Sequence, residues 1–231
     1  GGSETLSVTV AGVPDGATLS VGVDNGDGTW TITDIEGGAT VAEQLANLSI
    51  TPAPDSDEDF TLNVTATATE TDADTGVVTS ESTFANLNVT VDAVADPPIV
   101  TVQDVTGVED TAIPLDVQAT LTDTDGSETL SIEISDIPDG ATLQLVDPVT
   151  GDVTTFEATV DPTTGLGSVT LTPDQLAGLE VTPPPNSGAD FDLTVTATST
   201  ETDGGDTAST ISTLTVEVTA VADAPTLELT G

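Results

Sequence analysis

The chain contains no lysine, arginine or histidine, and these absences exclude more than any single motif could. Its 41 Asp and Glu residues leave a formal net charge of −41 over 231 residues. No side-chain salt bridge can form at neutral pH, so the carboxylates are neutralised only by metal ions or screened by salt. A compact state with that self-repulsion is unfavourable unless counter-ions bind it specifically. Nothing is present to neutralise phosphates, so nucleic acid is not an expected partner. An anionic membrane surface repels the chain for the same reason, and no apolar run approaches a membrane-spanning length. Cysteine is also missing, which excludes disulfides, thiolate nucleophiles and zinc–sulfur sites. Without His or Lys the usual general bases and Schiff-base amines are gone. A paired-carboxylate glycosidase needs an aromatic-lined cleft, and one Trp (Trp30), four Phe and no Tyr are poor material for one. The chain is therefore not expected to be an enzyme.

What remains is an oxygen-ligand chemistry. Carboxylates without competing nitrogen or sulfur donors select hard cations, and Ca²⁺ has the coordination number to use many of them at once. The composition thus points to folding in a calcium-containing extracellular medium. High net charge is also a mark of disorder, but 36% of the residues are apolar, and they alternate with polar ones in the manner of strands.

Internal repetition organises the chain. The segment Gly2–Leu19, GSETLSVTVAGVPDGATL, returns at Gly126–Leu143 as GSETLSIEISDIPDGATL. Asp59–Asp72, DFTLNVTATATETD, returns at Asp190–Asp203 as DFDLTVTATSTETD, and Val89–Pro98 is echoed by Val216–Pro225. The second copy has an opening segment, Ile99–Asp125, that the first does not show, and the tail Pro225–Leu229 restarts it. The expected organisation is a first repeat over 1–96 without its opening strands, a complete second repeat over 97–223, and the start of a third over 224–231. The chain reads as a piece cut out of phase from a longer array, with Asp96-Pro97-Pro98 as a stiff boundary.

Within each copy the period is two. Leu130–Ile134, Leu193–Ala197 and Leu214–Val218 read as half-buried strands rich in β-branched residues. Asn25-Gly26, Asp27-Gly28, Pro138-Asp-Gly140 and Gly204-Gly205 supply turn chemistry between them. The one helix-like stretch is Pro173–Gly178. About seven short strands in roughly 100–125 residues predict an all-β chain of immunoglobulin-like sandwiches. Asp24-Asn-Gly-Asp-Gly28 has the opening of a calcium loop, but Ile35 stands where an EF-hand needs Glu and the flanks are strands, so a hairpin turn is expected. Trp30 is expected in or beside the core of the first repeat.

Val108–Leu115 (VEDTAIPL), Thr122–Ser131 (TDTDGSETLS), Asp24–Trp30 (DNGDGTW), Leu176–Pro183 (LAGLEVTP) and the linker ends Val94-Ala-Asp96 and Val221-Ala-Asp223 resemble the cadherin-like tandem repeats of giant bacterial RTX-type adhesins. The resemblance covers both copies almost end to end. It implies tandem immunoglobulin-like (cadherin-like) β-sandwich domains in an extended array, with calcium at the junctions. It also implies a place on the bacterial cell surface, as extender domains between an anchor and a distal adhesion domain. The anchor, the adhesion domains and the glycine-rich nonapeptides of that family are not in this sequence.

Strand order places candidate ligands. With Ile99–Val105 as the first strand, the loops Asp123–Glu128 and Glu201–Asp206 fall at the end nearest the linker, where Asp96 lies. Asp96, Asp123, Asp125, Glu128, Glu201 and Asp203 are therefore expected to converge, which is tolerable only around a metal. The repeat puts Glu4, Glu70 and Asp72 where the second copy has Glu128, Glu201 and Asp203. Asp55, Asp57 and Asp59 are expected at the opposite end of the first repeat, facing the junction, and Glu109 and Asp110 at the far end of the second, near Asp223. Each Asp-Gly segment can also be a plain solvated turn.

The leading reading is a calcium-rigidified spacer whose partners are neighbouring repeats. Two alternatives stay open: a glycan- or protein-binding module, and a polymer subunit completed by strand exchange between copies.

Overall fold

A computed structural model describes residues 4–147 and 149–222. The chain is nearly all β and divides into two compact units, Gly1–Ala93 and Val94–Gly231. The division falls just ahead of the break expected at Asp96, because Ala95 and Asp96 hydrogen-bond into the second unit. The expected third-repeat opening, 224–231, lies outside the described residues.

In the first unit the strands are β1 (Glu4–Ala11), β2 (Thr18–Leu19), β3 (Val23–Asp24), β4 (Thr29–Thr33), β5 (Ile50–Thr51), β6 (Phe60–Thr71) and β7 (Val78–Val89). One sheet runs β3-β4-β1-β6-β7, and β2-β5 form a small second sheet. Val8, Val10, Ile32 and Leu62 fill the core, with Trp30 packed half-buried against it. Asp24–Gly28 is the turn of the β3–β4 hairpin, closed by the Asn25 amide on the Thr29 carbonyl (3.0 Å). A short helix, α1 (Val41–Leu45), was not expected. Its signal is local: Thr40 and Glu43 form a reciprocal capping box, the pattern that starts helices.

The second unit contains β8 (Ile99–Gln103), β9 (Val105–Val108), β10 (Ile113–Pro114), β11 (Asp116–Thr120), β12 (Glu128–Ile137) and β13 (Thr142–Val146). These are followed by β14 (Val153–Phe156), β15 (Thr159–Val160), β16 (Gly167–Leu171), β17 (Leu179–Thr182), β18 (Phe191–Glu201) and β19 (Thr207–Thr219). A 3₁₀ turn at Pro173–Gln175 occupies the expected helix-like stretch. The larger sheets are β15-β16-β12-β18-β19-β9 and β10-β17-β13-β14, and β8 pairs with β11. Ile132, Ile134, Leu193, Val195, Leu214, Val216, Leu143 and Val181 meet in one core.

The expected first strand Ile99–Val105 is two strands. β8 is antiparallel to β11, whereas β9 crosses to the other sheet and lies parallel to β19, from Val105 opposite Val216 to Val108 opposite Thr219. The chain changes partners at Asp104, whose carboxylate accepts the Thr215 amide (2.9 Å). β12 carries a register shift between Ile134 and Ile137, with Asp136 between them at φ +63°. The Thr194 hydroxyl fixes the Asp136 side chain (2.6 Å), and Asp tolerates the left-handed region better than most residues. The first unit has Gly12 at the matching position, at φ +81°.

Candidate metal centre

Glu128 opens β12 and Glu201 closes β18, and the register sets them directly opposite one another. Both are nearly enclosed, at 7% and 4% exposure, and Asp123, in the loop before β12, is 7% exposed. Like charges opposite one another in an antiparallel pair are destabilising, and burial removes the water that would screen them. The linker covers this end of the sheet. The Asp96 amide donates to Glu128 Oε1 (2.8 Å), the Ser199 hydroxyl to the Asp96 carbonyl (2.6 Å), the Thr122 hydroxyl to the Pro97 carbonyl (2.7 Å), and the Ala95 amide to Asp206 Oδ2 (3.1 Å). Glu128 Oε2 is buried and has no hydrogen-bond partner among the described residues.

The loop geometry follows from Asp-Gly chemistry. Asp123 Oδ1 accepts the Asp125 amide (2.8 Å), and Asp125 Oδ1 accepts the Ser127 amide (2.7 Å). The Ser127 hydroxyl, then its amide, holds the Asp125 carboxyl below the usual carboxylate range. Gly126, at φ +103°, makes the turn between them. The Glu201 amide closes onto the Asp206 carbonyl (2.9 Å), and the Thr202 amide bonds the Ser127 carbonyl (3.0 Å), joining the two acidic loops.

Asp96, Asp123, Asp125, Glu128, Glu201 and Asp203 thus share the linker end of the second unit. Asp123, Glu128 and Glu201 are buried, Asp96 is half-buried, and Asp125 and Asp203 are exposed. Among the described residues no three acidic side chains stand as a ready-made ligand cluster. Asp206, in the Glu201–Asp206 loop expected at this end, belongs here as well, and so does Ser199, which the sequence reading missed. The signal for Asp206 was its place across a Gly-Gly turn from Glu201.

The other candidates are differently engaged. In the first unit Glu4 is opposite Glu70, as Glu128 is opposite Glu201, but Glu4, Glu70 and Asp72 are exposed. Asp72 caps its own turn, accepting the Thr75 amide (2.7 Å) and hydroxyl (2.8 Å) and the Asp74 amide (3.0 Å). Those donors, the Thr75 amide foremost and then its hydroxyl, lower its pKa. Asp55, Asp57 and Asp59 lie just ahead of β6, whose twelve residues put them roughly 36 Å from Glu70. Asp55 is at φ +57°, Asp57 is half-buried, and Asp59 clamps the Val91 amide (2.9 Å). In the second unit Asp190 holds the Val218 amide in the same way (2.7 Å). Glu109 is buried and accepts the Val221 amide, and Asp110, at φ +58°, accepts the Asn186 amide (2.9 Å). Asp223, expected beside them, lies outside the described residues. Among the described residues no helix is long and apolar enough to cross a membrane.

Comparison with protein-family models, with curated proteins and with solved structures finds no match to this chain.

Proposed function

We propose that the chain is a calcium-loaded structural spacer: tandem immunoglobulin-like domains from a secreted bacterial surface adhesin of the kind its sequence resembles, holding an adhesion domain away from the cell. The observation that carries the metal reading is Glu128. Its carboxylate is buried, with one oxygen that has no hydrogen-bond partner among the described residues, directly opposite Glu201 and close to Asp96, in a chain with no cationic side chain anywhere. A donor set made only of oxygen suits a hard cation. Glu128, Glu201 and Asp123 are the residues to hold it, with Asp96, Asp125, Asp203 and Asp206 at the rim, and their joint ligation requires the side chains to rotate. Bound calcium supplies the missing counter-charge. The Asp96 amide on Glu128 ties the opening of the second unit to its sheet, so loading the site holds residues 94–98 against that sheet.

Titration calorimetry and melting in chelator against millimolar calcium, at fixed ionic strength, test the reading. Saturable binding and a higher melting temperature are expected, as for any ligand that binds only the folded state. Magnesium should substitute poorly, because it dehydrates reluctantly and demands octahedral geometry. Calcium should also protect the linker from a broad-specificity protease; trypsin has no Lys or Arg to cut. Equal melting and equal cleavage with and without calcium would refute the proposal.

A further inference from the structure

The two units share strand sequences but not cover. In β18 every second residue from Leu193 to Glu201 is buried, whereas in β6 the matching Val64, Ala66 and Ala68 are only half-buried and Glu70 is exposed. The contrast sharpens at the next strand: Leu87 of β7 is 55% exposed, while its counterpart Leu214 of β19 is fully buried. Leu6 on β1, paired to Ala68 of the same sheet, is 41% exposed. These side chains all lie on one face, since Leu87 is opposite Leu62, Ala85 opposite Val64, and Val8, next but one to Leu6, is in the core.

The second unit shows what belongs on that face. Its β8–β11 pair sets Val100, Val102, Val117 and Ala119 against the core, and β9 lies parallel along β19. β10 closes the other sheet by pairing Ile113 with Val181. The first unit has, among its described residues, no strand beyond β7 and none beyond β5, the counterpart of β17. The receiving edge is nevertheless built alike: Asp59 on the Val91 amide repeats Asp190 on the Val218 amide. Two open sheet edges and an apolar face between them thus match one segment's three roles.

We propose that this face of the first unit is a docking site for a repeat-opening segment, one with the sequence features of residues 98–121, adding a parallel strand along Val89–Asp92 and a strand pair over Leu87 and Val64. Main-chain pairing at an exposed edge supplies affinity, and the alternate apolar side chains supply register. The proposal does not depend on the metal reading.

The test is a synthetic peptide of residues 98–121 added to the full chain in calcium at about 0.15 M salt, where surface charge repulsion is largely screened. Trp30, the single tryptophan, lies in the first unit and is absent from the peptide, so its fluorescence follows that unit alone. Saturable one-to-one binding, a higher Trp30 melting temperature and slowed amide exchange along Val89–Asp92 are expected. Leu87→Ser, at a position already exposed, should leave the unit folded and weaken peptide binding about tenfold or more. A peptide with Val117→Asp and Ala119→Asp should fail to bind. No saturable binding, or binding indifferent to these changes, overturns the proposal. So does self-association of the chain that excess peptide does not reverse, because the face is then closed by a second copy in another way.

Discussion

Glu128 is the residue at which burial and charge conflict most directly. Its Oε1 is used by the Asp96 amide, its Oε2 has no hydrogen-bond partner among the described residues, and Glu201 faces it. Glu128→Gln keeps an acceptor for Asp96 and removes one of the two opposed charges. In chelator the variant should melt higher than the parent, by the equivalent of up to about 1 kcal/mol. In calcium the order should reverse, with metal affinity down by at least about tenfold, or about 1.4 kcal/mol. Paired thermal melts measure both signs; a variant less stable than the parent in chelator would sink the idea that charge repulsion dominates there. Gly178 is a second sensitive position, for steric reasons alone. It sits at φ +89°, and a Cβ there would run into the Val146 carbonyl oxygen. Gly178→Ala should lower the second unit's stability by about 1–3 kcal/mol, read from chemical denaturation.

Single strands and their connecting turns obey a different rule: carboxylates at or near the surface act as turn caps. Asp27, Asp72, Asp147 and Asp161 each accept hydrogen bonds from Thr residues two or three positions ahead, and their pKa values are lowered as a result. A carboxyl with a depressed folded pKa contributes stability that is present above the unfolded value and is lost as pH falls through the folded one. Thr75→Val removes the hydroxyl donor to Asp72. It should lower the first unit's melting temperature at neutral pH, and the gap from the parent should close as pH falls below about 3.9 toward the depressed value. Following Trp30 fluorescence against pH checks it; a constant gap would mean that Thr75 acts through packing.

For the molecule as a whole, the two units should differ in stability. Among the described residues the buried apolar cluster of the first unit has eight members and that of the second nineteen. Each fully buried Val or Leu is worth roughly 1.5–3 kcal/mol relative to exposure, so the first unit should melt first. Trp30 fluorescence should show a transition below the main one in far-ultraviolet circular dichroism, and calcium should raise the later transition more. Coincident transitions would show that the units unfold as one.

Much of this was legible from residues alone. The period-two pattern in Leu193–Ala197 needs no tertiary information to predict a strand, nor does Asn25-Gly26 to predict a turn, because both preferences act within a few residues. The missing cations likewise made carboxylate neutralisation a problem before any fold was known. The α1 helix was missed, because its signal in Thr40 and Glu43 spans only four residues and the strand period around it hides so short an element. What the sequence left undecided was cover. DFTLNVTATATET and DFDLTVTATSTET are nearly the same strand, yet Glu70 is exposed and Glu201 is buried. The difference lies in what packs on each: in the second unit Ala95–Pro97 is bonded across the end of β12 and β18, the β8–β11 pair packs on the core, and β9 extends the sheet beside β19. Burial depends on chain segments distant in sequence, so only the tertiary structure could separate carboxylates that cap turns from those buried opposite one another at the end of a sheet.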